Sequence, residues 1–382
     1  MKYHFLIFVL FLKYTSFGQA FLTIPISGTE GQDWIIVNYV DWDTVGFKDH
    51  NCGSKSYDGH QGTDFTIRSF RQMDSGVNVL AAADGIITYV NDGEFDRETD
   101  GTLSKKLGNY IAIKHPNNYY SYYGHLRKNS IPVKVGETVT QGQTIGQVGS
   151  SGNSTDPHLH FELWYDSMYV VDPFKGDCGN KESLWLNEPT YDSTSGHFES
   201  GIDLRSNIDI NILRERSFQN TQPYVILPSS DSSLYFWSHL YGLRKGKNLL
   251  LEWKEPNNQL WFKYDIKLNK DYWYYYYWSY ITHENLKEGP WNVQLSYNGS
   301  LISRVEFNVS EKANLVTTKP FDLCTRAKNQ SSAQLENSPN VKLNIYNILG
   351  HEMDQTQIIP PGLYVYHLTK ERQTCTFKRI HR

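Results

Sequence analysis

The chain has 382 residues, room for two or three domains, with 37 basic against 41 acidic side chains and a formal charge of -4. That balance argues against a large nucleic-acid surface, which needs an excess of Lys and Arg to neutralise phosphates. An aromatic content of 14% argues against general disorder, 27 tyrosines suit pleated sheets, and a negative mean hydropathy excludes a large polytopic membrane protein.

At the N-terminus, Lys2 and His4 precede the apolar run Phe5 to Leu12, which Lys13 ends, and Ser16, Gly18 and Ala20 follow. A charged start, a short apolar run and a small-residue exit predict a signal peptide over residues 1–20, and the run is too short to span a bilayer. The chain is therefore expected to be secreted or held at the cell surface, with no transmembrane segment in the mature protein. Residues 21–47 form an N-terminal segment placed where it could occlude a groove.

From 48 to 180, short strand patterns alternate with glycine turns: Gly85–Val90, Asn109–Lys114, Tyr119–Tyr123, Gly142–Val148 and His158–Trp164. No long 3.6-residue period appears, so the expected fold is all-β and antiparallel. From 185 to 312 the pattern continues in Leu249–Trp253, Trp291–Tyr297 and Leu301–Val309, with Asn298-Gly299 as a two-residue hairpin turn, and it predicts a β-sandwich accessory domain. The tract Tyr272–Tyr280 reads either as a strand packed on both faces or as a carbohydrate-stacking surface, which would make glycan or another cell-wall polymer a partner. Residues 313–340 read as a linker. Residues 341–382 read as a small C-terminal β module built from Val341–Gly350, Pro360–Leu368 and Thr374–Ile380.

The four cysteines, Cys52, Cys178, Cys324 and Cys375, allow three pairings. Proximity within the expected domains favours Cys52–Cys178 and Cys324–Cys375, as an exported chain permits. No Cys-x-x-Cys occurs, so a cysteine zinc ribbon or a thioredoxin-type site is unsupported.

Three fragments of the first β domain carry chemistry: His60-Gln-Gly-Thr-Asp64, Tyr123-Gly-His125-Leu126, and the Gly-Ser-rich loop from Ser150 into His158-Leu-His160-Phe. On a strand, His158 and His160 point to the same face. His60 and Asp64 share a face if strand-like, and the glycine between them also lets them converge through a turn. Two imidazoles and a carboxylate with an open fourth position make a catalytic zinc set. With no His-Glu-x-x-His in the chain, a helical zincin is unsupported, so some other base must serve, and a neutral histidine is suited to that near neutral pH.

In order and spacing, the three fragments resemble the LytM/lysostaphin-type zinc metallopeptidases, which cut peptide links of bacterial peptidoglycan. Val77–Ile87 and Val135–Gly146 resemble that family's core strands, and the likeness covers about residues 48–175. The resemblance implies one Zn2+ per chain held by His60, Asp64 and His160, with His125 and His158 as the proton-transfer pair. It implies that peptidoglycan stem or cross-bridge peptides are the substrate and that a zinc-activated water is the nucleophile. A non-catalytic wall-binding or hydrolase-activating module is the alternative, although such modules usually lack several of these five residues.

Other polar residues are assigned lesser parts. His115 is expected to be structural or exposed, and His50 lacks a motif. Glu162 is either a partner of the metal strand or a solvated carboxylate, and Asp156 is a turn residue before Pro157. Tyr57 lies near the family's substrate-positioning tyrosine, in a loose alignment. At the other end, Ile345–Gly350 and Pro361–Tyr366 are similar to C-terminal sorting domains read by the type IX secretion system, or else form a terminal hairpin.

Overall fold

The computed structural model describes residues 21–101, 106–191, 195–205, 208–215, 224–226, 233–310, 342–347, 362–370 and 373–381. The expected signal peptide, the linker at 313–340, Cys324 and the turn segments at 348–361 lie outside the described residues. Among the described residues no helix is long and apolar enough to cross a membrane.

The regular structure of the described chain is mostly antiparallel strand with little helix, in agreement with the all-β expectation. Its first part contains β1 (Trp34–Asn38), β2 (Thr63–Ile67), the one-and-a-half-turn helix α1 (Phe70–Ser75), β3 (Asn78–Leu80), β4 (Gly85–Asn91) and β5 (Tyr110–Lys114). It continues with β6 (Tyr119–Gly124), β7 (Thr138–Val139), β8 (Thr144–Gln147), β9 (His158–Tyr165) and β10 (Tyr169–Val171). The main sheet runs β1-β2-β9-β6-β5-β4-β7, with β10 paired to β9, and every pairing is antiparallel. β3 and β8 make a second, two-stranded sheet.

Strand β9 shows why this sheet can carry a site. Leu159, Phe161 and Leu163 are buried in the core with Phe65, Ile67, Ile111, Ile113 and Tyr123. Burying a side chain of this size stabilises the fold by about 1.5–3 kcal/mol, so these three fix which face of β9 is which. His158, His160 and Glu162 are thereby turned to the opposite face. The N-terminal segment contributes to the same core through Leu22, Ile26, Trp34, Ile36 and Tyr39, whereas Val45 and Phe47 are exposed.

The second part is a sandwich. One sheet orders β11 (Gly196–Arg205), β13 (Ser233–Leu243) and β16 (Tyr272–Thr282). The other orders β12 (Tyr224–Ile226), β18 (Ser300–Val309), β17 (Gly289–Tyr297), β14 (Asn248–Glu255) and β15 (Gln259–Lys267). The short helix α2 (Ile210–Glu215) lies between β11 and β12 in the chain. Leu234, Phe236 and Leu240 of the first sheet share a core with Leu251, Trp253, Trp291 and Val293 of the second. All pairings are antiparallel except β12 with β18, which is parallel. At Asn298-Gly299 the backbone takes φ of 47° and 87°, the positive pair that a type I′ hairpin demands and that Asn-Gly tolerates best.

The aromatic tract is β16. Tyr276 and Tyr277 are buried, whereas Trp278 and Tyr280 are exposed. Tyr272, Tyr275 and Tyr277 pack on the sandwich core, so the tract is chiefly a packed strand. Residues 342–381 contribute β19 (Lys342–Asn347), β20 (Gly362–Lys370) and β21 (Gln373–His381), a three-stranded antiparallel sheet that clusters as a separate unit.

Cys52 and Cys178 form a disulfide across 126 residues, as expected from their proximity. Closing a loop of that length removes chain entropy from the unfolded state worth about 5 kcal/mol in the loop-entropy model. Replacing both cysteines by serine is expected to lower the thermal midpoint by several degrees, corresponding to about 2–5 kcal/mol. Calorimetry of the two proteins checks this, and an unchanged midpoint would contradict it.

Candidate metal and catalytic site

The register of β2 against β9 places Asp64 directly opposite His160. Opposed residues on an antiparallel pair have Cβ atoms about 4.5–5.5 Å apart, so the carboxylate and the imidazole meet above the sheet. His60 precedes β2 and joins them through a turn, because β2 begins only at Thr63. That turn explains the glycine in His60-Gln-Gly-Thr-Asp64. A Cβ at Gly62 would fall 2.6 Å from the Phe161 carbonyl oxygen and 2.8 Å from the His160 ring.

Three ligand-type atoms converge. His160 Nδ1 lies 2.8 Å from Asp64 Oδ1, and His60 Nε2 lies 3.2 Å from both. All three residues are buried. The edge of a tetrahedron with bonds of about 2.0–2.1 Å is about 3.3 Å, so the spacing suits a small divalent ion. The donor chemistry agrees, because each outer atom of the set is tied to a hydrogen-bonding partner. His60 Nδ1 lies 2.7 Å from the Tyr39 carbonyl oxygen. His160 Nε2 lies 2.9 Å from Glu162 Oε1, while Trp164 Nε1 donates to Glu162 Oε2 at 2.6 Å. Asn38 Nδ2 donates to Asp64 Oδ2 at 2.8 Å. Carbonyl and carboxylate oxygens only accept, so in each neutral ring the outer nitrogen carries the proton and the inner one offers its lone pair.

His125 and His158 flank this triad. Their rings are 4.6 Å apart, and His158 Nε2 is 3.7 Å from Asp64 Oδ1. Each is oriented by the same rule: His125 Nδ1 lies 2.7 Å from the Ser151 carbonyl and His158 Nδ1 2.7 Å from the Asp156 carbonyl. His125 adopts φ of 59°, a left-handed conformation rare outside glycine and costly by about 1–3 kcal/mol. It turns the chain between Gly124, which ends β6, and Leu126, which is fully buried.

The electrostatics separate the groups. Burial holds the His125 imidazole well below its usual range, and its electrostatic coupling to the neighbouring imidazoles pushes the same way, so the ring is neutral near pH 7. Burial pulls His160 down too, but its hydrogen bonds to Asp64 and Glu162 outweigh that and bring it to about 10. Burial alone would raise Asp64, yet the charges of His60 and His158 and the hydrogen bonds from His160 and His60 hold it well below the carboxylate range.

The remaining residues separate cleanly. His115 is buried and structural, bonded to the Asp84 carbonyl at 2.8 Å and to Ser121 Oγ at 2.6 Å. His50 is buried against Phe174, Tyr39 and Tyr191, with Asp172 3.5 Å away. Tyr57 is half exposed and tilts over the His60 ring at 4.3 Å. Glu162, left open between two roles, is the partner of His160, and its strand parity was the signal. Asn38, the Tyr39 carbonyl and the Ser151 carbonyl were not singled out. A main-chain carbonyl has no sequence signature, and only the pairing of β1 with β2 brings the first two here.

Residues 58–173 match the model of peptidase family M23. This segment is a peptidase M23 domain. Among curated proteins, the chain is 36% identical over 110 residues to the peptidoglycan DD-endopeptidase ShyC of Vibrio cholerae, a match covering 29% of this chain and 21% of that protein. It is 38% identical over 104 residues to the peptidoglycan DD-endopeptidase ShyA of the same species, covering 27% and 20%. It is 32% identical over 122 residues to the cell division protein DipM of Caulobacter vibrioides, covering 28% and 18%. The chain thus spans about a fifth of the length of these relatives.

Two outcomes follow for the M23 domain. Glu162→Gln is expected to weaken metal binding about 10- to 100-fold, the usual cost of losing a ligand's outer partner, read by competition against a zinc chelator. Unchanged affinity would show that Glu162 is idle. The second concerns pH. His160 stands at about 10 in the fold against 6.5 ordinarily, so its protonated form stabilises the metal-free protein fully below about pH 6.5. That contribution is lost as pH rises through about 10. The thermal midpoint in chelator is therefore expected to fall between about pH 7 and pH 10 and to fall less when metal is bound. A midpoint that rises across this window without metal would contradict the assignment.

Proposed function

We propose that the chain is a zinc metalloendopeptidase that hydrolyses peptide bonds of bacterial peptidoglycan, in the stem peptide or the cross-bridge. The observation that carries this reading is the convergence of His60 Nε2, Asp64 Oδ1 and His160 Nδ1 within 2.8–3.2 Å of one another, beside two further imidazoles. The relatives, peptidoglycan DD-endopeptidases, supply the substrate class. Two nitrogens and one carboxylate oxygen in a buried setting are a donor set that suits zinc when one position is left for chemistry.

In this reading His60, Asp64 and His160 hold the ion. When bound, zinc supplies Lewis acidity at the scissile carbonyl and acidifies the attacking water. The chain's own groups move the protons. His158, with Nδ1 held by the Asp156 carbonyl, points Nε2 into the site, and so does His125 through Ser151. One neutral imidazole accepts the water proton. Once protonated, an imidazole stabilises the negative charge developing on the carbonyl oxygen or delivers its proton to the leaving amine.

The setting is extracytoplasmic. The disulfide Cys52–Cys178 supports it, since such bonds persist in oxidising compartments. Export by a signal peptide at 1–20 and sorting through the 341–382 module complete the proposal. Any glycan contact through the 185–312 region would use Trp278 and Tyr280, the exposed residues of the aromatic tract.

Purified protein loaded with zinc is expected to release new amino termini from muropeptides of at least one wall type, read by mass spectrometry. Stoichiometric zinc binding with no cleavage of any wall type would overturn the enzyme and leave the non-catalytic wall-binding module. His125→Ala is expected to keep the metal and lose about 100-fold or more in turnover, whereas Asp64→Ala loses the metal itself. Full activity of His125→Ala would remove it from the reaction.

A further inference from the structure

The proton-transfer pair is held asymmetrically. His125 is oriented by Ser151, within the M23 domain. His158 is oriented by the carbonyl of Asp156, and the carboxylate of that same residue is gripped from the sandwich. Arg214 of α2 donates to it twice, Nε to Oδ1 at 2.9 Å and Nη2 to Oδ2 at 3.2 Å. Tyr276 of β16 donates its hydroxyl to Oδ1 at 2.8 Å. These partners lie 58 and 120 residues away in sequence. We propose that Arg214 and Tyr276 are positioning residues for His158, so that the sandwich completes the catalytic site of the M23 domain; the inference rests on the peptidase reading above.

The physical path is short. Pro157 confines Asp156 to extended backbone, which removes the main alternative the turn could adopt. The Pro157 carbonyl is fixed from β2, accepting from Ile67 N at 3.1 Å. With the Asp156 carboxylate fixed from the other side, its peptide plane is held at both ends. The Asp156 carbonyl then accepts from Ser154 Oγ at 3.0 Å and from His158 Nδ1 at 2.7 Å. This selects the tautomer with the proton on Nδ1 and leaves the Nε2 lone pair directed at the site.

The grip is built to be firm. Arg214 and Asp156 have side chains only 12% and 17% exposed, and a two-point guanidinium–carboxylate contact in such surroundings is both strong and directional. Tyr276 is buried, and its hydroxyl lies 3.0 Å from that of Tyr274, which in turn reaches the Arg68 carbonyl at 3.1 Å. Tyr274 and Tyr276 thus link the M23 domain after β2 and before β9. The aromatic tract owes part of its composition to this wall, since a phenol carries a donor to the end of a rigid apolar arm.

The test compares Tyr276→Phe, Arg214→Gln and the double variant with the wild type, all as full chains loaded with zinc. Tyr276→Phe removes one oxygen and keeps the packing, so it folds even if the Arg214 change does not. Turnover of muropeptides is expected to fall about 10- to 100-fold in the double variant, and less in Tyr276→Phe, with KM within about twofold and zinc affinity unchanged. Arg214→Lys is expected not to restore turnover, because an ammonium cannot make the two-point contact. In parallel, imidazole nitrogen resonances at one pH report the tautomers: His158 is expected to move from a fixed Nδ1–H form toward an averaged one, while His125 does not move. A lowered thermal midpoint with turnover per folded molecule and His158 resonances unchanged would reduce the contact to structural glue and overturn the proposal. If the wild type cleaves no muropeptide, the peptidase reading fails, and the His158 resonances still decide the positioning claim.

Discussion

A histidine ring can aim a lone pair inward only if its other nitrogen has a fixed place for its proton. The site of this protein is organised around that constraint. His60, His125, His158 and His160 each lean on an oxygen that can only accept: the carbonyls of Tyr39, Ser151 and Asp156, and the carboxylate of Glu162. Take away those oxygens and the rings remain, but their tautomers and directions are no longer specified. The acceptors come from different parts of the chain, and bringing them together is the work of the fold.

The sheet does most of it. Burying Leu159, Phe161 and Leu163 sets the parity of β9 and thereby aims His158, His160 and Glu162. The register with β2 opposes Asp64 to His160. β1, which lies inside a segment that reads from sequence as a possible cover for the groove, pairs with β2 and brings the region of Asn38 and Tyr39 behind Asp64 and His60. Leu22, Ile26, Trp34, Ile36 and Tyr39 of that segment are part of the same core. The sandwich adds a further contact at Asp156, from residues that carry no catalytic motif of their own.

Much of the architecture is legible before any coordinates. Strands β4, β5, β6, β8 and β9 fall within two residues of the segments marked by alternation and glycine turns, and Asn298-Gly299 marks its hairpin without ambiguity. β1, β11, β13 and β15 were not marked. β13 has long runs buried on both faces and therefore no two-residue alternation, while β15 is largely exposed on both. The tyrosine tract was ambiguous for the same reason: buried, interfacial and exposed rings follow one another on a single strand.

From sequence alone come the all-β class and the five polar side chains that the fold brings together, because each is written in local spacing or in residue chemistry, whereas Cys52–Cys178 is only the favoured one of three pairings until the fold joins them. Tertiary structure alone decided three things. His60 reaches Asp64 by a turn and not along a strand. Glu162 belongs to His160 and not to solvent. Asp156, a turn residue by pattern, is the point where the sandwich touches the loop leading into His158. Those outcomes depend on strand register and on main-chain oxygens, and neither leaves a mark on residue identity: a carbonyl is present at every position, and only the fold chooses which one a histidine meets.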